Sequence, residues 1–179
     1  MQTSSPAPLS IAAAGARYGL LLALSWIIID FLLRQVGLSF LTYSIVTTLV
    51  AIAVSITGIV LAHRAFKRAN AGLMSYWQGV IITLLLMLCW GLASALFNYV
   101  YVHYIDPEFV DNLQAGMVEF MERNRVPEAE IEKGTARFAE MKSDFGKSLL
   151  SGLTSGLGFG TVLGLLVSIF TKRNHPEFE

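Results

Sequence analysis

Four long apolar stretches, at about 18–33, 41–62, 79–102 and 149–170, are closed by polar or basic residues. A bilayer core of about 30 Å needs about 20 helical residues, so each stretch is long enough to span one. The first is short unless 11–16 joins it. Arg17 can snorkel from inside the membrane edge, so the predicted spans are 11–33, 41–62, 79–102 and 149–170. Between the third and fourth the pattern changes. Asp106-Pro107 reads as a helix N-cap with proline at the first helical position, and Glu108 and Asp111 lie near the positive helix end. Phe109, Leu113, Met117, Phe120 and Met121 then recur at three- and four-residue intervals, which predicts an amphipathic helix. Asn124 to Pro127 breaks it. A second helix is predicted from near Pro127, with Glu128 and Glu130 in its first turn and a weaker stripe of Ile131, Phe138, Met141 and Phe145. Gly134 weakens its continuity. The expected fold is all-α: one membrane domain over 1–179, a four-helix bundle with an extramembrane amphipathic helical hairpin at about 106–146.

Within the last stretch a small residue stands at every fourth position: Ser148, Gly152, Gly156, Gly160, Gly164 and Ser168. Residues four apart share a helix face, so the row is a ridge without side chains on which another backbone can lie closely. Each glycine costs about 1 kcal/mol relative to alanine in a helix, which close packing has to offset. Gly15, Gly19 and Ala23 form a shorter row on the first helix. The first and last of four spans run antiparallel, so the expected seam joins these two helices. A homo-oligomer is the other way to use such a row.

Composition places the chain in lipid: 54% of residues are hydrophobic, 15% are charged, and the mean hydropathy is +0.58. The formal charge is zero, so no bulk attraction to nucleic acid is expected. Cys89, the single cysteine, sits in an apolar run; it excludes an intrachain disulfide framework and reads as an apolar filler. Basic residues give the orientation. His63, Arg64, Lys67 and Arg68 fall between the second and third stretches, Lys172 and Arg173 follow the fourth, and Arg17 precedes the first. The positive-inside rule puts all three groups, and both termini, in the cytoplasm. Six basic residues between Arg123 and Lys147 oppose this, but they are interspersed with ten acidic ones from Asp106 to Asp144 and much of that segment lies away from the spans. A cleaved signal peptide is the competing reading of the first stretch, since Gly37-Leu38-Ser39 loosely resembles a cleavage site; the length of the stretch and Arg34 directly after it favour an anchor. No lipidation motif is visible at either end.

Chemistry is sparse. Asp30 interrupts the first span, where an aspartate costs about 2.5–3.5 kcal/mol on insertion scales; the ten Leu, Ile and Phe residues between Leu20 and Leu33 offset it by about 3–6 kcal/mol. Arg34 follows at i+4 on the same face, so an interfacial ion pair is the expected arrangement. A proton or cation relay would need a second ionisable group at comparable depth. Asn98, His103, Tyr99, Tyr101 and Tyr104 gather where the third span leaves the membrane, a level at which aromatics anchor helices; Tyr76 and Trp77 do so at its other end. His103 with Asp106 and Glu108 fits no established ligand spacing, so no metal is assigned. A Gly-rich phosphate loop, a zinc-protease helix and a nucleophile elbow are all lacking. No catalytic residue and no cofactor is therefore assigned, and the chain is expected not to be an enzyme.

Several strings resemble a known family when taken in order: Tyr18-Gly19 opening the first span, the basic turn from Arg64 to Arg68, and Ser75-Tyr76-Trp77-Gln78 leading into the third. Then come Tyr99, Tyr101 and Tyr104-Ile105-Asp106-Pro107-Glu108-Phe109, the Glu-rich insert, and a final span ending in Lys172-Arg173. Together they resemble a bacterial family of four-helix membrane proteins known as domain of unknown function 4199, over nearly the whole chain. The resemblance implies a bacterial inner-membrane location and supplies no binding or catalytic residues. The expected partners are the lipid bilayer and an envelope protein at the 106–146 insert, whose Met-rich stripe either docks that partner or is hidden by the hairpin itself. A non-enzymatic structural or interaction protein is thus the leading expectation, and a small channel or transporter subunit the alternative.

Overall fold

The computed structural model describes residues 9–142 and 144–173, without the side chains of 137 and 139–141, so Met141 of the second stripe lies outside the described side chains. The chain is all-α. In order come α1 (Ile11–Gln35), α2 (Phe40–Ala69), α3 (Tyr76–Val100), a π-helical turn (Tyr101–Ile105), α4 (Phe109–Arg123), α5 (Glu128–Met141) and α6 (Phe145–Thr171). Ile11–Gln35, Phe40–Ala69, Tyr76–Ile105 and Phe145–Thr171 are long and apolar enough to cross a membrane, and α4 and α5 lie between the third and fourth. Leu20, Leu24, Ile28, Leu49, Leu150, Leu166 and Phe170 point outward from these helices, as a lipid-facing surface requires. This is a multi-pass membrane protein.

Helix starts are set by short polar side chains. Ser10, Ser39 and Asp144 each accept a hydrogen bond from the backbone N–H three residues on, at 3.1, 3.4 and 3.0 Å. Ser75 and Gln78 form a reciprocal capping box at the head of α3. The helix predicted from Asp106 begins later: Asp106 closes the π turn by donating to the Tyr101 carbonyl, Pro107 and Glu108 form a turn, and Phe109 is the first helical residue. Two other boundaries also move. α2 runs on to Ala69, so His63, Arg64, Lys67 and Arg68 stand on its last turns instead of in a loop. α6 starts at Phe145, which therefore leaves the predicted hairpin stripe and packs edge-on against Tyr99.

α3 is the centre of the bundle, with α1 on one side, α6 on another, and α2 resting mainly on α1. Its Ile82, Leu86 and Met87 are fully buried with Ala14 of α1 and Ile59 and Ala62 of α2. At the end nearer the termini, the buried His63 lies 2.8 Å from the Thr171 hydroxyl and 3.0 Å from the Gly79 carbonyl. Lys67 donates to the Thr171 carbonyl at 2.8 Å, capping the negative end of α6. At the opposite end the hairpin folds on itself. Gly134 lies against Met117, and α5 passes through it unbroken. Lys142 and Asp111 close its open side.

Candidate functional site

Two features gather the residues singled out in the sequence: a packed seam and a buried polar cluster. In the seam, α6 lies antiparallel on α3, and each small residue of its row meets a residue of a second four-spaced row. Ser168 meets Gly79, Gly164 meets Thr83, Gly160 meets Met87, Gly156 meets Met87 and Gly91, and Gly152 meets Gly91 and Ala95. A β-carbon added at Gly156 would stand 2.7 Å from the Met87 carbonyl oxygen, inside contact distance of backbone that cannot swing away. Ser148 is buried at the hairpin end of the row. The short row also uses α3: Gly15 lies against Leu85 and Ile82, Gly19 against Leu86 and Cys89, and Ala23 is buried. The seam predicted between the first and last helices is therefore two seams, both on α3. Each row needs a neighbour that brings its own backbone close, and the central helix supplies one on two faces.

The polar cluster sits where α1 to α4 converge. Asp30 and Arg34 occupy successive turns of α1, with side chains 7% and 6% exposed and a closest N–O distance of 2.8 Å. The Arg34 Nε also donates to Asp30 Oδ2 at 3.0 Å, while Tyr43 of α2 donates its hydroxyl to Oδ1 at 2.9 Å, so both carboxylate oxygens are occupied. The Arg34 Nη2 donates to Asn98 Oδ1 of α3 at 3.2 Å. Its guanidinium carbon lies 4.4 Å from the ring centres of Tyr101 and Phe109 and 5.4 Å from that of Phe97. Such faces attract a desolvated cation, which compensates for Nη1, buried with no hydrogen-bond partner among the described residues. Gln35 donates to the Tyr101 hydroxyl at 3.2 Å. Chemically the arrangement holds: a carboxylate with both oxygens engaged and a cation between rings are fixed in place.

Phe109 makes this cluster the base of the hairpin. Its ring covers Arg34 and stands edge-on to Tyr43 and Tyr101, while Val110 beside it is fully buried. Gly116 then brings α4 against Phe40 at the start of α2. Tyr101, predicted as an interface anchor, is 1% exposed and belongs to this core, whereas Tyr104 and Trp77 are exposed. His103 is exposed, stacked on Tyr99, with Nδ1 2.9 Å from the Tyr99 carbonyl; among the described residues no three His, Cys, Asp or Glu side chains converge as a metal set. Sequence reasoning missed Tyr43 and the inward turn of Phe109. An unexplained tyrosine one turn into α2, on the end facing Asp30, was the available signal for the first.

A concavity of about 780 Å³ lies between α2, α3 and α6 toward the hairpin end; Trp90, Ser94, Asn98, Ser148, Ser155 and Phe159 are among its lining residues. The profile of the family described as Protein of unknown function (DUF4199) matches residues 17–173. The chain belongs to the DUF4199 family. In this chain that match spans most of α1 and everything from there to the close of α6, and so covers the α3–α6 seam, the Asp30–Arg34 cluster and the hairpin. No curated protein and no solved structure matches the chain.

Proposed function

We propose that this DUF4199 protein is a non-enzymatic interaction protein of the bacterial inner membrane, with both termini cytoplasmic, whose bundle presents the α4–α5 hairpin to another envelope component. The observation that carries this reading is the seating of Phe109 on the buried Arg34. A buried ion pair is weak as a source of stability, and one that fixes the angle of an extramembrane element is better explained as a positioning device. The hairpin's apolar residues Phe109, Val110, Leu113, Met117 and Phe138 are turned into a core shared with the bundle, which speaks against most of the Met-rich stripe as the docking face and leaves its Phe120 exposed. Also facing outward is a shallow concavity lined by Asp111, Gln114, Ala115, Val118, Glu119 and Glu122. Asp111 and Glu119 are paired there with Lys142 and Arg123, so a basic partner would meet Glu122 together with the outer sides of these two exposed ion pairs.

A photoreactive side chain at Gln114 tests this in cells. A discrete crosslinked protein is expected, lost when Glu119 and Glu122 are both changed to Lys and lost again in Phe109→Ala. Crosslinks to lipid alone, or crosslinks indifferent to the charge reversal, would overturn the proposal. The cleft between α2, α3 and α6 favours one second reading, a small channel or transporter subunit. Solute flux in proteoliposomes that Ser155→Leu abolishes would establish it.

A further inference from the structure

The walls of the cleft between α2, α3 and α6 are unusual for a surface at membrane depth. On lipid-facing positions, hydroxyls are satisfied within their own helix: Ser25, Thr57, Thr154 and Thr161 each donate to the carbonyl four residues back. Two residues that line the cleft, Trp90 and Ser94, carry an Nε1 and an Oγ that are buried without a hydrogen-bond partner among the described residues, as are the Ser55 and Ser168 hydroxyls elsewhere in the bundle. An unpaired indole N–H where no bulk water is present is costly, and it is a donor that only an acceptor can satisfy. Packing fixes the indole, since Trp26 stands edge-on to it with ring centres 6.0 Å apart and Phe159 lies tilted against it at 6.3 Å. Asn98 commits its oxygen to Arg34, which leaves its NH2, another donor, for the cleft it lines.

The donors follow one another along α3. Trp90 is at the middle of the Tyr76–Ile105 span, and Asn98, eight residues on, is about 12 Å nearer the hairpin end at about 1.5 Å per residue. Between and opposite them lie Ala51, Ile52, Gly91, Ala95, Gly152 and Gly156, a smooth apolar bed. Among the described residues no Asp, Glu, Lys, Arg or His lines the space, so these walls offer no counter-charge for a phosphate or an amine. Its mouth, with Ile52, Ser151 and Ser155 exposed, opens sideways between α2 and α6. The volume of about 780 Å³ falls within the range of sites that take one small ligand. We propose that this cleft binds one neutral, carbonyl-bearing lipophile entering from the bilayer, its oxygens on Trp90, Ser94 and Asn98 and its apolar body on the glycine bed. An acylglycerol and a quinone share that chemistry.

The full chain in nanodiscs, titrated separately with dioleoylglycerol, decylubiquinone and dioleoylphosphatidylglycerol and read by native mass spectrometry, tests the site. One equivalent of a neutral probe per chain is expected, with the charged phospholipid failing to compete; the probe that saturates identifies the source. Ser155→Leu fills the mouth from an exposed position without touching the α3–α6 seam, and is expected to weaken binding by about tenfold or more, whereas Trp90→Phe, which keeps the ring and removes the N–H, weakens it by about threefold to tenfold. If Ser155→Leu fails to fold, Ala51→Leu fills the cleft from the α2 wall. Absence of a saturating neutral probe, binding unchanged in a folded cleft-filled variant, or equal competition by the phospholipid each overturns the proposal.

Discussion

The guanidinium of Arg34 sits between three rings and a carboxylate, and removing it alone would leave Asp30 charged in a site from which water is largely excluded. Breaking a buried pair by deleting one partner costs about 3–5 kcal/mol, whereas replacing both partners by apolar side chains of similar volume is often close to neutral. Arg34→Met is therefore expected to lower the thermal unfolding midpoint in nanodiscs more than the double change Asp30→Leu with Arg34→Met. The reverse order would show that the Arg34 contacts to Asn98 and Phe109, and not its charge balance, carry the stability. The i+4 spacing put Asp30 and Arg34 on one face of one helix. It said nothing of Asn98, 64 residues on in the chain, or of Tyr43, because local spacing reports same-helix neighbours only.

Helices α3 and α6 show why one side of a seam is legible and the other is not. A ridge of glycine and serine is visible in any reading of α6, but its complement on α3 runs Gly79, Thr83, Met87, Gly91, Ala95, a mixture that marks nothing until the two rows are laid side by side. Assigning the seam to α1 followed from matching small row with small row. The structure instead sets Met87 over Gly160 and Thr83 over Gly164, large against small, as interdigitating ridges demand. This predicts opposite signs for one substitution made two residues apart. Gly156→Ala drives a β-carbon into the Met87 carbonyl and is expected to destabilise; Gly158→Ala meets nothing within 4 Å and is expected to stabilise by up to about 1 kcal/mol through helix propensity. Unfolding midpoints of the two variants, measured side by side, decide it. Equal effects would remove the close-packing account of the row.

For the molecule as a whole, stability should fall outward from α3. That helix is clasped on two faces, α2 rests chiefly on α1, and α5 reaches the bundle mainly through α4, since Phe138 is the one α5 side chain in the hairpin core among the described residues. Local opening draws on the contacts an element makes, so amide exchange in nanodiscs is expected to be slowest in α3 and fastest in α5. Phe109 separates two ways in which the hairpin can be held. If the grip is the seat on Arg34, Phe109→Ala speeds exchange throughout α4 and α5 while α3 and α6 stay protected, because the seam on the far face of α3 does not include the ring. If the turn after the π segment and the close approach of Gly116 to Phe40 hold it, exchange rises only in the first turn of α4. The first pattern is expected: a single ring that contacts Tyr43, Tyr101 and Arg34 couples α4 to three helices at once, whereas Gly116 meets one side chain at the start of α2.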